Sequence, residues 1–142
     1  VYEDTEFIIM VVGGPNTRKD YHIDEGEEFF YQLEGRMVLR IIENKKTKDI
    51  NINEGEIFLL PPKVPHSPQR FENTVGLVIE RKRRKDELDA FQWYCDECHT
   101  LLYEYFFPLT NIVTQLPPIF DGFWKDDDAR TCKCCSAYLE KP

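Results

Sequence analysis

A chain of 142 residues with 42% apolar side chains, including ten Phe and seven Tyr, can fill the core of one domain with at most a small appendage. A net charge of −8 argues against a nucleic-acid surface. No run approaches the roughly 18 apolar residues of a membrane span, and no signal peptide opens the chain, which starts at Val1. Residues 7–12 are a continuous, partly β-branched apolar run closed by Gly13-Gly14-Pro15, which predicts a buried strand ending in a turn. Residues 28–33 and 37–42 predict two further strands, with Glu34-Gly35-Arg36 as a hairpin turn between them. Residues 49–53 alternate as a half-exposed strand should. Glu54-Gly55 then turns the chain into a strand at 57–60, which Pro61-Pro62 stops. Residues 75–80 are another strand. The basic run 81–85 has no interleaved aromatics and reads as a solvated loop. Residues 91–94 and 101–107 are aromatic and extended, with Cys95-Asp96-Glu97-Cys98 as a tight knuckle between them. Residues 117–126 predict a short helix with Pro in its first turn. Short strands with Gly and Pro punctuation indicate an all-β-dominated antiparallel sandwich or barrel over residues 1–90. A small C-terminal subdomain over 91–142 follows.

All five cysteines lie between Cys95 and Cys135, and four form two Cys-x-x-Cys pairs. A disulfide framework would spread through a secreted chain, so clustered pairs point to metal thiolates in a reducing cytosol. Cys95, Cys98, Cys132 and Cys135 can grip one tetrahedral ion, as zinc ribbons and rubredoxin-like iron sites do. Four thiolates leave no open position, so this site is structural. Cys134 is left over beside Cys135 as a possible alternative ligand, and His99 reads as an outer-sphere or surface residue.

The chain has three histidines, and two of them fall in short stretches with a nearby carboxylate. His22 and Glu28 are separated by the turn 24–27, and His66 follows a strand and a Pro-rich turn. Taken singly, each reads as an ordinary histidine. As a set, two imidazoles and one carboxylate at the mouth of a small barrel form a facial triad with open positions opposite, the arrangement of non-haem Fe(II) oxygenases.

These motifs resemble the cupin superfamily, whose barrel is an antiparallel jelly roll. His22, Glu28 and Gly35 match its first motif, with Asp24 where a second His usually stands. Gly55, Pro61 and His66 match its second. A narrower resemblance rests on the strings at 13–22, 30–35, 58–62, 64–71 and 75–81 together with the Cys pairs. They are similar to the 3-hydroxyanthranilate 3,4-dioxygenase family from about Phe7 to the C-terminus. The resemblance implies Fe(II) on His22, Glu28 and His66, and ring opening of 3-hydroxyanthranilate by O2 to 2-amino-3-carboxymuconate semialdehyde, on the kynurenine route to quinolinate and NAD. It implies Arg18 and Glu80 in catalysis, and Arg18, Arg70, Glu80 and Glu28 against the substrate. It further implies iron on the four cysteines, where the thiolates alone allow Fe or Zn, a homodimer, and a segment before Val1 that contributes to the dimer near the active-site mouth; the cytoplasmic placement follows from the clustered cysteines. Independently of the resemblance, a substrate carboxylate calls for a forked guanidinium. Arg18 lies four residues before His22, and Arg70 four after His66. Their alternative reading, with Glu80, is surface ion pairing. The rival functions are a metal-binding cupin module without catalysis, acting as sensor or scaffold, and a cupin isomerase or dioxygenase of another substrate class.

Overall fold

The apolar run near the N-terminus forms β1 (Phe7–Gly13), which pairs along its length with β8 (Val75–Arg81), from Phe7↔Arg81 to Gly13↔Val75. This is seen in a computed structural model that describes residues 1–2 and 5–142. On its other side β8 pairs with β3 (Glu28–Glu34), and β3 with β6 (Ile57–Leu60), completing a four-stranded antiparallel sheet. A second sheet has six strands in the order β10 (Leu101–Phe107), β9 (Asp89–Tyr94), β2 (Asp20–Ile23), β7 (His66–Arg70), β4 (Met37–Glu43) and β5 (Lys46–Ile52). The two sheets enclose a core that includes Phe30, Met37, Leu39, Ile52 and Val78. The result is the jelly-roll arrangement of an all-β domain.

Period-two alternation decides what faces inward. In β3 and β8 the buried positions are Glu28, Phe30 and Gln32, and Gly76, Val78 and Glu80. Acidic and amide side chains at inward positions of otherwise apolar strands are costly unless something pairs with them. Two of them, Glu28 and Glu80, line the site.

The structure corrects several expectations. The turn at Glu34-Gly35-Arg36 is not a hairpin, because β3 and β4 lie in different sheets. Gly35, at φ 66, carries the chain from one sheet to the other. The tight hairpin instead joins β4 to β5 through Asn44 and Lys45, both left-handed at φ 52 and 61, as a type I′ turn requires. The segment after His66, for which the sequence predicted no element, is strand β7, despite Pro68. β2 meets β7 only at His22↔His66, so Pro68 interrupts no ladder on that side. The C-terminal helix, α1 (Ile112–Lys125), begins before the prolines. Asn111 caps it through Oδ1, accepting from Val113 N and Thr114 N at 3.0 and 2.9 Å. Pro117 and Pro118 sit on its exposed side, where water can satisfy the carbonyls of Val113 and Thr114.

The boundary expected at residue 90 falls inside β9, which pairs with β2 on one side and β10 on the other. Residues 108–142, with α1 and the short α2 (Asp127–Arg130), then pack on the aromatic face of that sheet. Phe123 of α1 stacks on Trp93 with ring centroids 4.2 Å apart. No helix among the described residues is long and apolar enough to cross a membrane.

Candidate metal centres and active site

His22, Glu28 and His66 converge although they come from three strands in two sheets. Their ligand atoms all lie within 4.8 Å of one another, and all three are enclosed by the barrel. The cross-strand pair His22↔His66 sets two of them side by side, and Glu28 faces them from the opposite sheet. His66 Nε2 and Glu28 Oε2 stand 2.7 Å apart, yet Oε2 makes no aligned hydrogen bond. Three ligand atoms this close together can hold one small divalent cation. Burial opposes charge on both groups, but their mutual attraction outweighs it. Glu28 is held below the usual carboxylate range and His66 is lifted above the usual imidazole value. His66 Nδ1 lies 3.0 Å from the Val64 carbonyl, which fixes the ring and leaves Nε2 toward the cluster.

The triad opens into a cavity of about 120 Å³, sized for a single aromatic ring and its substituents. Arg18, Arg70 and Glu80 all line it. Arg70 is buried, and its Nη1 has no hydrogen-bond partner. Its backbone N–H donates to Asn16 Oδ1 at 2.8 Å, which fixes the strand that carries it. The guanidinium crosses Gly76, where an added Cβ would come within 2.5 Å of Nη1 and push it aside. Desolvation first, and then the nearby Arg18 charge, lower the Arg70 pKa from its ordinary value. Among the described residues no ion pair involves this buried cation. Arg18 is more exposed, and its guanidinium is taken up by Asp20. Glu80 is the register partner of Glu28, and its Oε1 is buried without a partner. Burial, and then the charge of Glu28, push Glu80 up to about 8. A divalent cation on Glu28 would relieve that repulsion.

Three residues around the site were not singled out in the sequence. Asp89 is fully buried, with Oδ2 2.6 Å from His22 Nε2. Burial would raise its pKa, but hydrogen bonds with Arg83 and His22 hold it below the carboxylate range. Phe91 stacks on His22 with centroids 5.1 Å apart. Arg83, assigned above to a solvated loop, has a side chain only 3% exposed among Asp24, Glu80 and Asp89. Asp89 lay just outside the strand expected at 91–94, and β9 is buried from Asp89 to Trp93, so no alternation singled it out. The signal for Arg83 was absent, because its partners are scattered along the chain. Asp24, at the place of the usual second histidine, accepts from Gly26 N at 2.7 Å and turns toward Arg83, outside the triad.

The second cluster is Cys95, Cys98, Cys132 and Cys135, whose Sγ atoms also lie within 4.8 Å of one another. The two knuckles share one backbone geometry. His99 N and Ser136 N bond back to the Cys95 and Cys132 carbonyls at 3.0 and 2.9 Å, and both residues are left-handed at φ 58 and 63. Such repetition is what a closed tetrahedral thiolate site needs. Cys134 is exposed and outside the cluster, and His99 is exposed. A larger open groove of about 1210 Å³ crosses the outer face of the six-stranded sheet, but none of the triad lines it.

A family model described as 3-hydroxyanthranilic acid dioxygenase matches residues 1–124. The chain belongs to this family. It is 59% identical over 129 residues to 3-hydroxyanthranilate 3,4-dioxygenase of Xanthomonas euvesicatoria, covering 91% of this chain and 73% of that protein. It is 53% identical over 136 residues to the enzyme of that name from Jannaschia sp., covering 95% and 76%. To the human enzyme it is 56% identical over 125 residues, covering 88% of this chain and 44% of that protein. Among solved structures it is similar to a cupin-2 domain containing protein from Shewanella frigidimarina, at 23% identity and TM-score 0.42 over 53% of this chain and 68% of that one. HEPD of Streptomyces albus matches at 17% identity and TM-score 0.46, over 52% and 17%.

Proposed function

We propose that this chain is a ring-opening dioxygenase that converts 3-hydroxyanthranilate and O2 to 2-amino-3-carboxymuconate semialdehyde, on the kynurenine route to quinolinate and NAD. One observation carries the reading in the site. A two-His, one-Glu cluster opens into the same small cavity as a buried arginine whose Nη1 has no partner. The triad holds Fe(II) through His22, Glu28 and His66. When bound, the iron would supply the redox chemistry that links the ring to O2.

The chain's own residues do the rest. Arg70 supplies the planar fork that a substrate carboxylate matches. Glu80 lines the cavity and has an unpartnered Oε1, so its carboxylate takes a hydrogen bond or a proton from the amine or phenol. Glu28 serves both the metal and the substrate face. Arg18 borders the cavity while Asp20 holds part of its guanidinium, and its remaining N–H groups serve the substrate. Leu109, Ile112 and Leu116 close the cavity from the C-terminal part and exclude water.

Protein loaded anaerobically with Fe(II) is expected to consume O2 in equimolar amount with 3-hydroxyanthranilate and to release the semialdehyde. Consumption no faster than with free Fe(II) would favour the non-catalytic metal-binding module instead.

The cysteines hold a structural Fe or Zn that ties down the 91–142 extension. Thiolate binding is coupled to local folding. Cys132→Ser is therefore expected to lose one metal per chain and to lower the Tm, while fresh enzyme given Fe(II) still cleaves the ring. Unchanged metal content would remove this site. Lost turnover with the barrel iron and fold intact would give it a part in catalysis.

A homodimer fits the outer face of the four-stranded sheet, where Phe7, Val11, Leu33, Ile57 and Leu59 are exposed together. Light scattering at the monomer mass of 16.9 kDa would count against it. Free thiols at a metal-type cluster suit a cytoplasmic setting, and fractionation of cells tests that placement.

A further inference from the structure

We propose that Arg83 is a positioning residue for the active site, acting on His22 through Asp89 and on Glu80 directly. The inference rests on the reading of His22 as a ligand.

The Arg83 guanidinium meets three buried acids at once, Asp24, Glu80 and Asp89. Its Nε and Nη2 fork onto Asp89 Oδ1 and Oδ2, each at 2.6 Å. Nη2 also reaches Glu80 Oε2 at 3.2 Å and Asp24 Oδ2 at 3.3 Å. Nη1 donates to the Arg81 carbonyl at 2.9 Å, so the side chain is anchored to the backbone at the end of β8. Such a bidentate fork fixes the plane of the Asp89 carboxylate as well as its place. The second lone pair of Oδ2 then faces His22 Nε2 at 2.6 Å. A carboxylate on one imidazole nitrogen sets the ring's orientation and raises the basicity of the other nitrogen, the one left for a metal.

The same guanidinium divides the Glu80 carboxylate into two unlike oxygens. Oε2 is tied to Arg83, while Oε1 is left buried and unpartnered in a residue that lines the cavity. Arg83 therefore sets which oxygen the substrate meets, without lining the cavity itself. A lysine would keep the charge but lose the fork, and it could not hold Asp89 and Glu80 in fixed planes at once.

The test uses two variants that keep the volume and polarity of the network. Arg83→Lys removes the fork, and Asp89→Asn removes the charge between Arg83 and His22. Co(II) is titrated anaerobically into protein whose cysteine site is filled and whose barrel site has been stripped. Both variants are expected to bind Co(II) in the barrel roughly 10–100-fold more weakly, as outer partners of metal ligands usually do. The metal content of the cysteine site should not change. Because the two residues act in series, the double variant should be no weaker than the worse single one.

Leu39→Ala, a core truncation off the cavity, calibrates general destabilisation. If Leu39→Ala weakens the barrel site as much at an equal loss of Tm, Arg83 is only structural and the proposal is overturned. Wild-type Co(II) affinity in both network variants, alongside lost affinity in His22→Ala, would overturn it while leaving the triad intact. Retained affinity in His22→Ala would instead overturn the ligand assignment underneath.

Discussion

His66→Ala is expected to leave the barrel without iron and without turnover, while the cysteine site keeps its metal. His66 is one of three ligands, and its ring is fixed from behind by the Val64 carbonyl. Losing a whole ligand from a three-ligand set should exceed the roughly 10–100-fold cost of losing an outer partner. The substitution also strips Glu28 of its nearest counter-charge in a buried place, which adds a stability penalty to the metal-free protein. Metal analysis with site counting, paired with O2 uptake, checks this. A full complement of barrel iron with wild-type turnover in the His66→Ala protein would remove the triad from the mechanism.

Arg70→Ala should behave differently, because Arg70 holds substrate and not metal. Removing one partner of a desolvated, bidentate charge pair costs roughly 2–5 kcal/mol, so KM for 3-hydroxyanthranilate should rise at least about thirty-fold. Barrel iron should remain. In the free protein Arg70 is a buried cation whose Nη1 lacks an acceptor, so truncation removes an uncompensated cost. The Tm of the ligand-free variant should hold or rise, a sign opposite to that of a structural arginine. An unchanged KM would dismiss the carboxylate clamp, and loss of iron in parallel would make Arg70 a prop for the metal site. Arg70→Lys separates charge from shape. If the planar fork matters, lysine restores only part of the loss.

Much of this site was legible in the sequence because each ligand sits beside strong local punctuation. Gly26 follows His22, and Pro61, Pro62 and Pro65 precede His66, so the spacing of turns fixed which side chains could meet. What was not legible depended on partners far along the chain. Glu34-Gly35 is chemically a good hairpin turn, and nothing local tells that the next strand joins the other sheet. Pro68 argues against a strand until the neighbour on its open side is known. Arg83 sits in a run of five basic residues, four of which are not drawn into the site. It is buried because Asp24, Glu80 and Asp89 converge on it from three places. The two prolines of α1 looked like a beginning, because the sequence cannot show that their side of the helix faces water.

The strand that presents His22 has a consequence for how the chain is made. β2 is only four residues long, touches β7 at a single register pair, and is otherwise held by β9, some seventy positions later. During synthesis the first ligand therefore has no permanent seat until residue 94 has left the ribosome. Closing so long a loop is slow relative to local pairing. The hairpin of β4 and β5 can form early, whereas the iron pocket is among the last parts to close. Nascent chains halted short of β9 should present β2 as an open edge, a surface that invites misassembly with neighbouring polypeptides.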